Sequence, residues 1–131
     1  MAFVTWTKEE FGTGVSQFDE EHKKIFTLLN DLHAATAKGD RSAVGKHLDA
    51  LIAFVVKHFQ AEEKQMSAKK YPALSAHKAE HDKLVATCAD LQKKFHANSA
   101  EVTEATTKLV KDWLYDHIPR MDKPYESCLN G

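Results

Sequence analysis

The sequence predicts an all-α protein, an up-down-up-down four-helix bundle with an irregular N-terminal arm and a short C-terminal tail. Apolar residues recur at alternating spacings of three and four along four successive stretches. The connections between these stretches are short, which makes consecutive helices antiparallel. We expect one domain over residues 1–131, with an arm at 1–16, helices at about 17–38, 41–65, 72–96 and 99–118, and a tail at 119–131.

The composition excludes several classes of function. A net charge of -1, with acidic and basic residues interspersed, argues against a nucleic-acid-binding face and against a polybasic membrane anchor. The sequence contains no long apolar run, so it predicts neither a membrane span nor a signal peptide, and the cytoplasm is the expected location. Cys88 and Cys128 form no disulfide or metal motif, and we expect both to be reduced thiols.

The first helix should follow an arm that packs through its aromatic residues. Ser16 is the predicted N-cap, with Asp19 as an acidic residue in the first turn. The inward-facing line of this helix is Phe18, His22, Ile25, Leu29 and Leu32.

The second helix is marked at its start by Gly39, which ends the first helix, and by Asp40, a predicted N-cap. Its inward-facing line is Val44, Leu48, Leu51, Val55, His58 and Glu62. A histidine and a glutamate four residues apart therefore occupy core positions on the same side of one helix.

The third helix should begin at Tyr71-Pro72, since proline is tolerated in a first helical turn. Its inward-facing line contains a second pair at a spacing of four, His77 and His81. The full line is Leu74, His77, His81, Leu84, Cys88, Leu91 and Phe95.

The fourth helix should begin after a capping pair formed by Asn98 and Glu101, and it should end at Ile118-Pro119. Asp122 then lies in or just after a turn, from which it can fold back over the end of the bundle. The inward-facing line of this helix is Val102, Thr106, Val110, Trp113 and His117.

Five histidines are expected at one end of such a bundle, because the first and third helices begin where the second and fourth end. They are His22, His58, His77, His81 and His117. Glu62 supports a metal at this level, since a carboxylate on a core line is costly to bury unless it is paired or bound to a cation. His33, His47 and His96 fall at the opposite end and should be solvated or capping residues.

The number of donors indicates two metal ions. Five imidazoles and the carboxylates of Glu62 and Asp122 exceed the usual coordination number of one ion, and zinc usually takes four ligands. If both carboxylates bridge the ions and a solvent-derived oxo or hydroxo group joins them, one ion has six ligands and the other has five. Mixed nitrogen and oxygen donors suit iron better than calcium or magnesium.

The motifs resemble the hemerythrin family, in particular its single-domain bacterial members, over essentially the whole chain. They are His22, His58-x3-Glu62, Tyr71-Pro72, His77-x3-His81 and Trp113-Leu114-Tyr115-Asp116-His117-Ile118-x3-Asp122. The resemblance implies that His77, His81 and His117 hold a six-coordinate iron, that His22 and His58 hold a five-coordinate iron, and that Glu62 and Asp122 bridge them.

The function that the resemblance implies is reversible binding of dioxygen at the open iron, for oxygen storage or delivery, and not enzymatic catalysis. The alternatives are oxygen or redox sensing with the same site, and a di-iron oxidase or iron-detoxifying protein. Helical offsets from the histidines nominate four residues for a pocket that keeps water away from the oxygen. They are Ile25, Phe59, Trp113 and Leu114.

The partners implied are two iron ions and dioxygen, and an oxygen-consuming protein would be the natural receiver. No large apolar stripe remains beyond the four core lines, so we expect a monomer.

Overall fold

The computed structural model describes residues 3–130 and is built on four long helices. The first packs on the second, the second on the third and the fourth on the first, and the third meets the fourth through side chains such as Glu80 and His117, as an up-down-up-down bundle requires. The four are α2 (Ser16–Lys38), α3 (Arg41–Ala68), α4 (Leu74–His96) and α5 (Glu104–His117), with α1 (Lys8–Phe11) ahead of them. Between residues 3 and 130 the chain forms no strand, and none of its helices is long and apolar enough to cross a membrane.

The N-terminal arm is less irregular than expected. It contains the single turn α1, which Thr7 caps by accepting a hydrogen bond from the backbone of Glu10. Ser16 is not the N-cap of α2 but its first residue, and Val15 occupies the cap position without a side-chain bond. The Asp19 carboxylate accepts two hydrogen bonds from Thr13 instead, at 2.7 and 2.8 Å, so it fastens the arm to α2. Residues 1 and 2 lie outside the described residues.

The junction between α2 and α3 agrees with the sequence signals. Gly39 adopts the left-handed conformation (φ 71°) that ends α2, and the Asp40 side chain accepts from the backbone of Ser42 and Ala43. α3 continues three residues beyond the expected end, to Ala68. α4 begins at Leu74 instead of Pro72, because the backbone N–H of Tyr71 still donates to the carbonyl of Met66 at the end of α3, and Pro72 lies in the turn from Tyr71 to Leu74.

The start of α5 differs most from the expectation. Asn98 has a positive φ of 63° and belongs to the C-terminal turn of α4, while Glu101 forms an ion pair with Arg41. The predicted capping pair is therefore wrong. The helix starts five residues later, where the Thr106 hydroxyl accepts from the backbone of Thr103 as one half of a capping box. The buried threonine of this helix is Thr107, one residue after the predicted Thr106.

The sequence predicts that the helix ends at Ile118-Pro119, but the chain remains helical beyond Pro119. Ile118–Asp122 forms a π-helical turn, followed by a 3₁₀ turn at Lys123–Tyr125 and by α6 (Glu126–Asn130). A proline near the start of a new helical segment costs no hydrogen bond that the segment needs. The continuous helical path therefore replaces the expected turn, and Gly131 lies outside the described residues.

Two apolar layers fill the bundle, and the residues between them are polar. The larger core cluster extends along all four long helices and reaches the polar residues at Ile25, Phe59, Leu84, Leu114 and Ile118. A second group, here called the end cluster, closes the bundle where the C-terminal turns return. The end cluster consists of Phe18, Met66 and Tyr125, with Tyr71, Leu74 and Leu129 packed around them.

Candidate metal centre

Each long helix contributes at least one histidine between the two apolar layers. On α2, His22 lies between Phe18 of the end cluster and Ile25 of the core, and the other long helices follow the same order. The seven-residue cluster formed in this way is at most 1% exposed. Its members are His22, His58, Glu62, His77, His81, His117 and Asp122.

The π-helical turn places Asp122 in the cluster. In a regular α-helix, five residues rotate a side chain by about 500°, so Asp122 would point about 140° away from His117. The wider turn closes a hydrogen bond from the backbone of Lys123 to the carbonyl of Ile118, five residues apart, and brings position 122 back to the side of position 117. Asp122 Oδ1 consequently lies 3.0 Å from His117 Nε2.

The donor atoms separate into two groups that share both carboxylates. Within each group the available ligand atoms lie within 4.8 Å of one another. The first group is Glu62, His77, His81, His117 and Asp122, and the second is His22, His58, Glu62 and Asp122.

The two oxygens of each carboxylate face different groups. Glu62 Oε2 lies 3.4 Å from His22 Nε2 and 3.3 Å from His58 Nε2, while Glu62 Oε1 lies 3.3 Å from His81 Nε2. Asp122 is divided in the same way, with Oδ2 at 3.0 Å from His22 Nε2 and Oδ1 at 2.7 Å from His77 Nε2. Both side chains therefore span the space between a two-histidine group and a three-histidine group.

The protein atoms alone do not satisfy this cluster, which is the test of whether a metal fits. Among the described residues, six buried side-chain atoms of the cluster make no well-aligned hydrogen bond. Four of them face the donor groups, and because an unpaired buried polar atom costs about 1–3 kcal/mol, these four need a compensating ligand. They are His58 Nε2, Glu62 Oε1, His81 Nε2 and Asp122 Oδ1, while His22 Nδ1 and His77 Nδ1 lie on the ring side away from the Nε2 atoms that face the carboxylates. Imidazole nitrogens and carboxylate oxygens in this number suit a pair of transition-metal ions.

Charge in the cluster also indicates a site prepared for cations. Burial favours neutral His58, but the charge of Glu62 and a hydrogen bond to Glu21 outweigh it and raise the pKa of His58 to about 10. Burial likewise favours the protonated forms of Glu62 and Asp122, yet the surrounding histidines lower the pKa of both carboxyls. Without a metal, the raised pKa of His58 means that a proton on this imidazole takes the place of a cation.

Three glutamates outside the cluster hold its histidines in a regular order around the bundle. Each glutamate is the chain neighbour of one cluster residue and accepts a hydrogen bond from Nδ1 of a histidine on the next helix. The three bonds are Glu21 to His58 (2.5 Å), Glu63 to His81 (2.8 Å) and Glu80 to His117 (3.0 Å). A carboxylate on Nδ1 fixes the imidazole so that Nε2 is free to bind a metal.

Tyr125 is a further residue that sequence analysis did not find. Its hydroxyl donates to Glu62 Oε2 at 2.7 Å, and its ring stacks on His77 with a centroid distance of 5.9 Å. The side chain is fully buried in the end cluster. The signal in the sequence was its position three residues after Asp122, which is one helical turn, but the tail was not expected to be helical.

The four residues nominated for the oxygen pocket border the cluster to different extents. Ile25 and Leu114 are buried in the core layer directly beneath it. The buried Phe59 ring stacks on His81 at 3.8 Å, and Trp113 stacks on His117 at 4.1 Å but is partly exposed. Their role in shielding oxygen stays a prediction.

The remaining histidines lie outside the cluster, and two of them contact a polar side chain. His33 contacts Thr107 through Nδ1 at 3.0 Å and stacks on Phe3. His96 contacts Asp49 at 2.8 Å. Neither they nor His47 belong to a metal-binding group in the described part of the chain.

Comparisons with known proteins agree with this geometry. Residues 13–128 match the family model described as the hemerythrin HHE cation binding domain. The chain is 58% identical to a bacteriohemerythrin of Methylococcus capsulatus over the full length of both proteins. It is also 34% identical to a hemerythrin-like protein of Naegleria gruberi, over 91% of this chain and 88% of the relative.

Solved structures give the same result. A crystal structure of wild-type hemerythrin superimposes with a TM-score of 0.98 at 57% identity, covering 99% of this chain and 100% of the other. A hemerythrin with an L114A substitution superimposes with a TM-score of 0.99 at 56% identity, over the full length of both chains. With its fold, its buried cluster and its full-length relatives in agreement, the chain belongs to the hemerythrin family.

Proposed function

We propose that this protein binds dioxygen reversibly at a non-haem di-iron centre and stores or delivers oxygen. The observation that supports it best is the division of Glu62 and Asp122 between two histidine groups. A carboxylate whose two oxygens face different sets of imidazoles is placed to bridge two ions. The names of the relatives, bacteriohemerythrin and hemerythrin, support the assignment to oxygen binding.

In this proposal the two ions have unequal ligand sets. His77, His81 and His117 hold one ion and His22 and His58 hold the other, with Glu62 and Asp122 as bridges and a solvent-derived oxo or hydroxo group between the ions. When bound, the two iron ions would supply the electrons for reversible binding of oxygen, and the position left for the oxygen would lie beside His22 and His58. Tyr125 hydrogen bonds to Oε2 of Glu62, the oxygen that faces His22 and His58, and so holds the bridge on the open side.

The surrounding residues orient the donors and exclude water. Glu21, Glu63 and Glu80 hold Nδ1 of three histidines and keep each Nε2 directed into the cluster. Ile25, Phe59 and Leu114 close the cluster on the core side, and Phe18, Met66 and Tyr125 close it on the other. A dry, apolar surrounding favours release of oxygen over its loss in a reduced, protonated form.

An anaerobic titration tests this function. The iron-loaded protein should be colourless when both ions are ferrous, gain visible absorption in air, and lose it again under argon. Irreversible oxidation of the iron, or rapid oxidation of an added substrate, would indicate an oxidase and would contradict reversible carriage.

We further propose that the protein acts as a monomer and passes oxygen to an oxygen-consuming protein. Among the described residues, Leu109 is the one large apolar side chain that is exposed, which leaves little surface for a stable self-interface. Sedimentation equilibrium at micromolar concentration should give the mass of one chain, and a concentration-dependent dimer would contradict the monomer.

A further inference from the structure

One aromatic side chain joins the cluster to the protein surface. The Trp113 ring stacks on His117 with a centroid distance of 4.1 Å and an interplanar angle of 16°, and its centroid lies 6.4 Å from that of His81. Two of the three histidines in the larger donor group are therefore in reach of one indole.

The other rings beside the cluster are closed off from solvent. Phe59, Phe18 and Tyr125 pack against cluster histidines, and their exposed fractions are 4%, 0% and 0%. Trp113 is partly exposed. Within residues 3–130 it is thus the aromatic side chain that touches both a cluster imidazole and water.

The surface next to Trp113 has an apolar centre and a charged rim. Leu109, one helical turn earlier on the same face of α5, is 49% exposed. Lys108 and Asp112 form an ion pair along α5, and Arg120 in the π-helical turn forms one with Asp116 at the end of α5. A small apolar centre with a polar rim is typical of transient contacts between proteins, and electron-transfer contacts are among the smallest of these.

An oxygen carrier with a di-iron centre needs such a contact, because its iron must be reduced again after it has been oxidised. A carrier that loses oxygen in reduced form retains two ferric ions, which cannot bind oxygen again until they are reduced. Restoring them takes two electrons, so two molecules of a one-electron donor are each oxidised once while each ferric ion gains one electron. No covalent bond in the chain changes, and Trp113 has the same redox state before and after.

We propose that Trp113 is the electron-transfer contact of this protein. A one-electron donor protein docks on Trp113 and Leu109, and its electron reaches the oxidised iron pair through Trp113 and His117. The proposal rests on the di-iron function proposed above. Trp113 provides the path for the electron between the donor protein and His117, and it is not a catalytic residue.

The test uses the oxidised, iron-loaded protein and a reduced plant-type ferredoxin as the donor. Stopped-flow absorption in about 0.2 M salt, where surface charges are largely screened, measures the rate of iron reduction. Leu109→Glu and Trp113→Leu should each slow the reduction about tenfold, equivalent to about 1.4 kcal/mol of activation free energy. Trp113→Phe, which keeps a stacked ring, should slow it less than Trp113→Leu.

Two controls separate docking from damage to the site. Ala50→Glu places the same charge at an exposed position of α3 and should leave the ferredoxin rate unchanged. Leu109→Glu should be reduced by dithionite, a small donor, at the wild-type rate. In zinc-loaded protein, oxidised ferredoxin should broaden the indole N–H resonance of Trp113 and not that of Trp6.

Equal ferredoxin rates in the wild type and Leu109→Glu, including the absence of reduction in both, would overturn the proposal. So would equal rates in the wild type and Trp113→Leu. Oxygen binding is measured separately in the wild type by the anaerobic titration. A wild type that fails to release oxygen but shows the Trp113 dependence would overturn the carrier function and leave the electron-transfer contact in place.

Discussion

Glu21 on α2 and His58 on α3 share a hydrogen bond of 2.5 Å between a carboxylate oxygen and Nδ1. Glu21 is also the chain neighbour of His22, so one residue step on α2 connects both histidines of the smaller donor group. Glu63 and Glu80 repeat this relation from α3 to α4 and from α4 to α5. The order of the helices around the bundle is thereby coupled to the orientation of the imidazoles.

Replacing Glu21 should weaken metal binding without unfolding the protein. Glu21→Gln keeps the size of the side chain but removes the charge that holds the His58 ring, and changes of this kind typically cost about 10- to 100-fold in metal affinity. Iron release to a chelator gives the measurement. Glu20→Gln is the matched control, since Glu20 is exposed and pairs with Lys23. Equal release rates in the two variants would show that the bond to His58 does not matter.

Removing the proposed bridge should reduce the iron content. Glu62→Ala deletes both carboxylate oxygens that face the two histidine groups, so we expect well below two iron ions per chain. Colorimetric iron analysis after gel filtration measures the ratio, with Gln65→Ala on the exposed side of α3 as control. A variant that still carries two ions per chain would rule out Glu62 as a bridge.

Shortening Leu114 should speed autoxidation. This side chain is 2% exposed beneath His117, and Leu114→Ala opens a space through which water can approach the bound oxygen. The decay of the oxygenated absorption in air gives the rate. Leu48→Ala is the control, because Leu48 is equally buried but lies ten residues, or about 15 Å, along α3 from His58.

Both leucine variants should lose about 2–5 kcal/mol in the free energy of unfolding, as large-to-small changes in a core do. The two variants should therefore differ in their autoxidation rate but not in their free energy of unfolding. If Leu48→Ala accelerates autoxidation as much as Leu114→Ala, the effect is general loosening of the bundle, and Leu114 has no special place in the pocket.

Stability of the metal-free protein should fall as pH rises above neutrality. The pKa of His58 is about 10 in the folded chain and about 6.5 in an unfolded one. Protonated His58 therefore stabilises the fold fully below about pH 6.5, and this contribution is lost as pH rises toward 10. The lowered pKa values of Glu62 and Asp122 act oppositely and contribute stability that is lost in acid.

Urea unfolding of the metal-free protein at several pH values measures this dependence. Glu21→Gln removes one of the partners that raise the pKa of His58, so it should flatten the loss of stability between about pH 6.5 and 10. A stability that rises over this interval would contradict the protonated state of His58. Iron should bind more tightly at higher pH, since it displaces that proton.

The cluster could be predicted from sequence because its members lie on core lines. His58 and Glu62, or His77 and His81, stand out as polar residues at apolar positions, and the antiparallel order of four helices brings them to one level. Glu21, Glu63 and Glu80 could not be found by this criterion, because each lies beside a core position and is partly exposed. Each of them is the chain neighbour of a cluster residue. This position becomes informative only when the packing of the next helix is known, because the histidine that each glutamate holds lies on that helix.

The C-terminal segment was predicted less well for a different physical reason. Pro119 predicts the end of the helix, since proline disfavours the α conformation in the preceding residue. In the structure Ile118 remains helical with φ -62° and ψ -52°, and the widened turn accommodates the ring. The helical continuation brings Tyr125 onto Glu62, a contact that a turn at residue 119 gave no reason to expect.

Anomalous diffraction from crystals of the iron-loaded protein tests the central claim most directly. The account predicts two iron peaks per chain, one bounded by His77, His81 and His117 and the other by His22 and His58, with Glu62 and Asp122 in contact with both. A single peak, or two peaks that do not share these carboxylates, would contradict it.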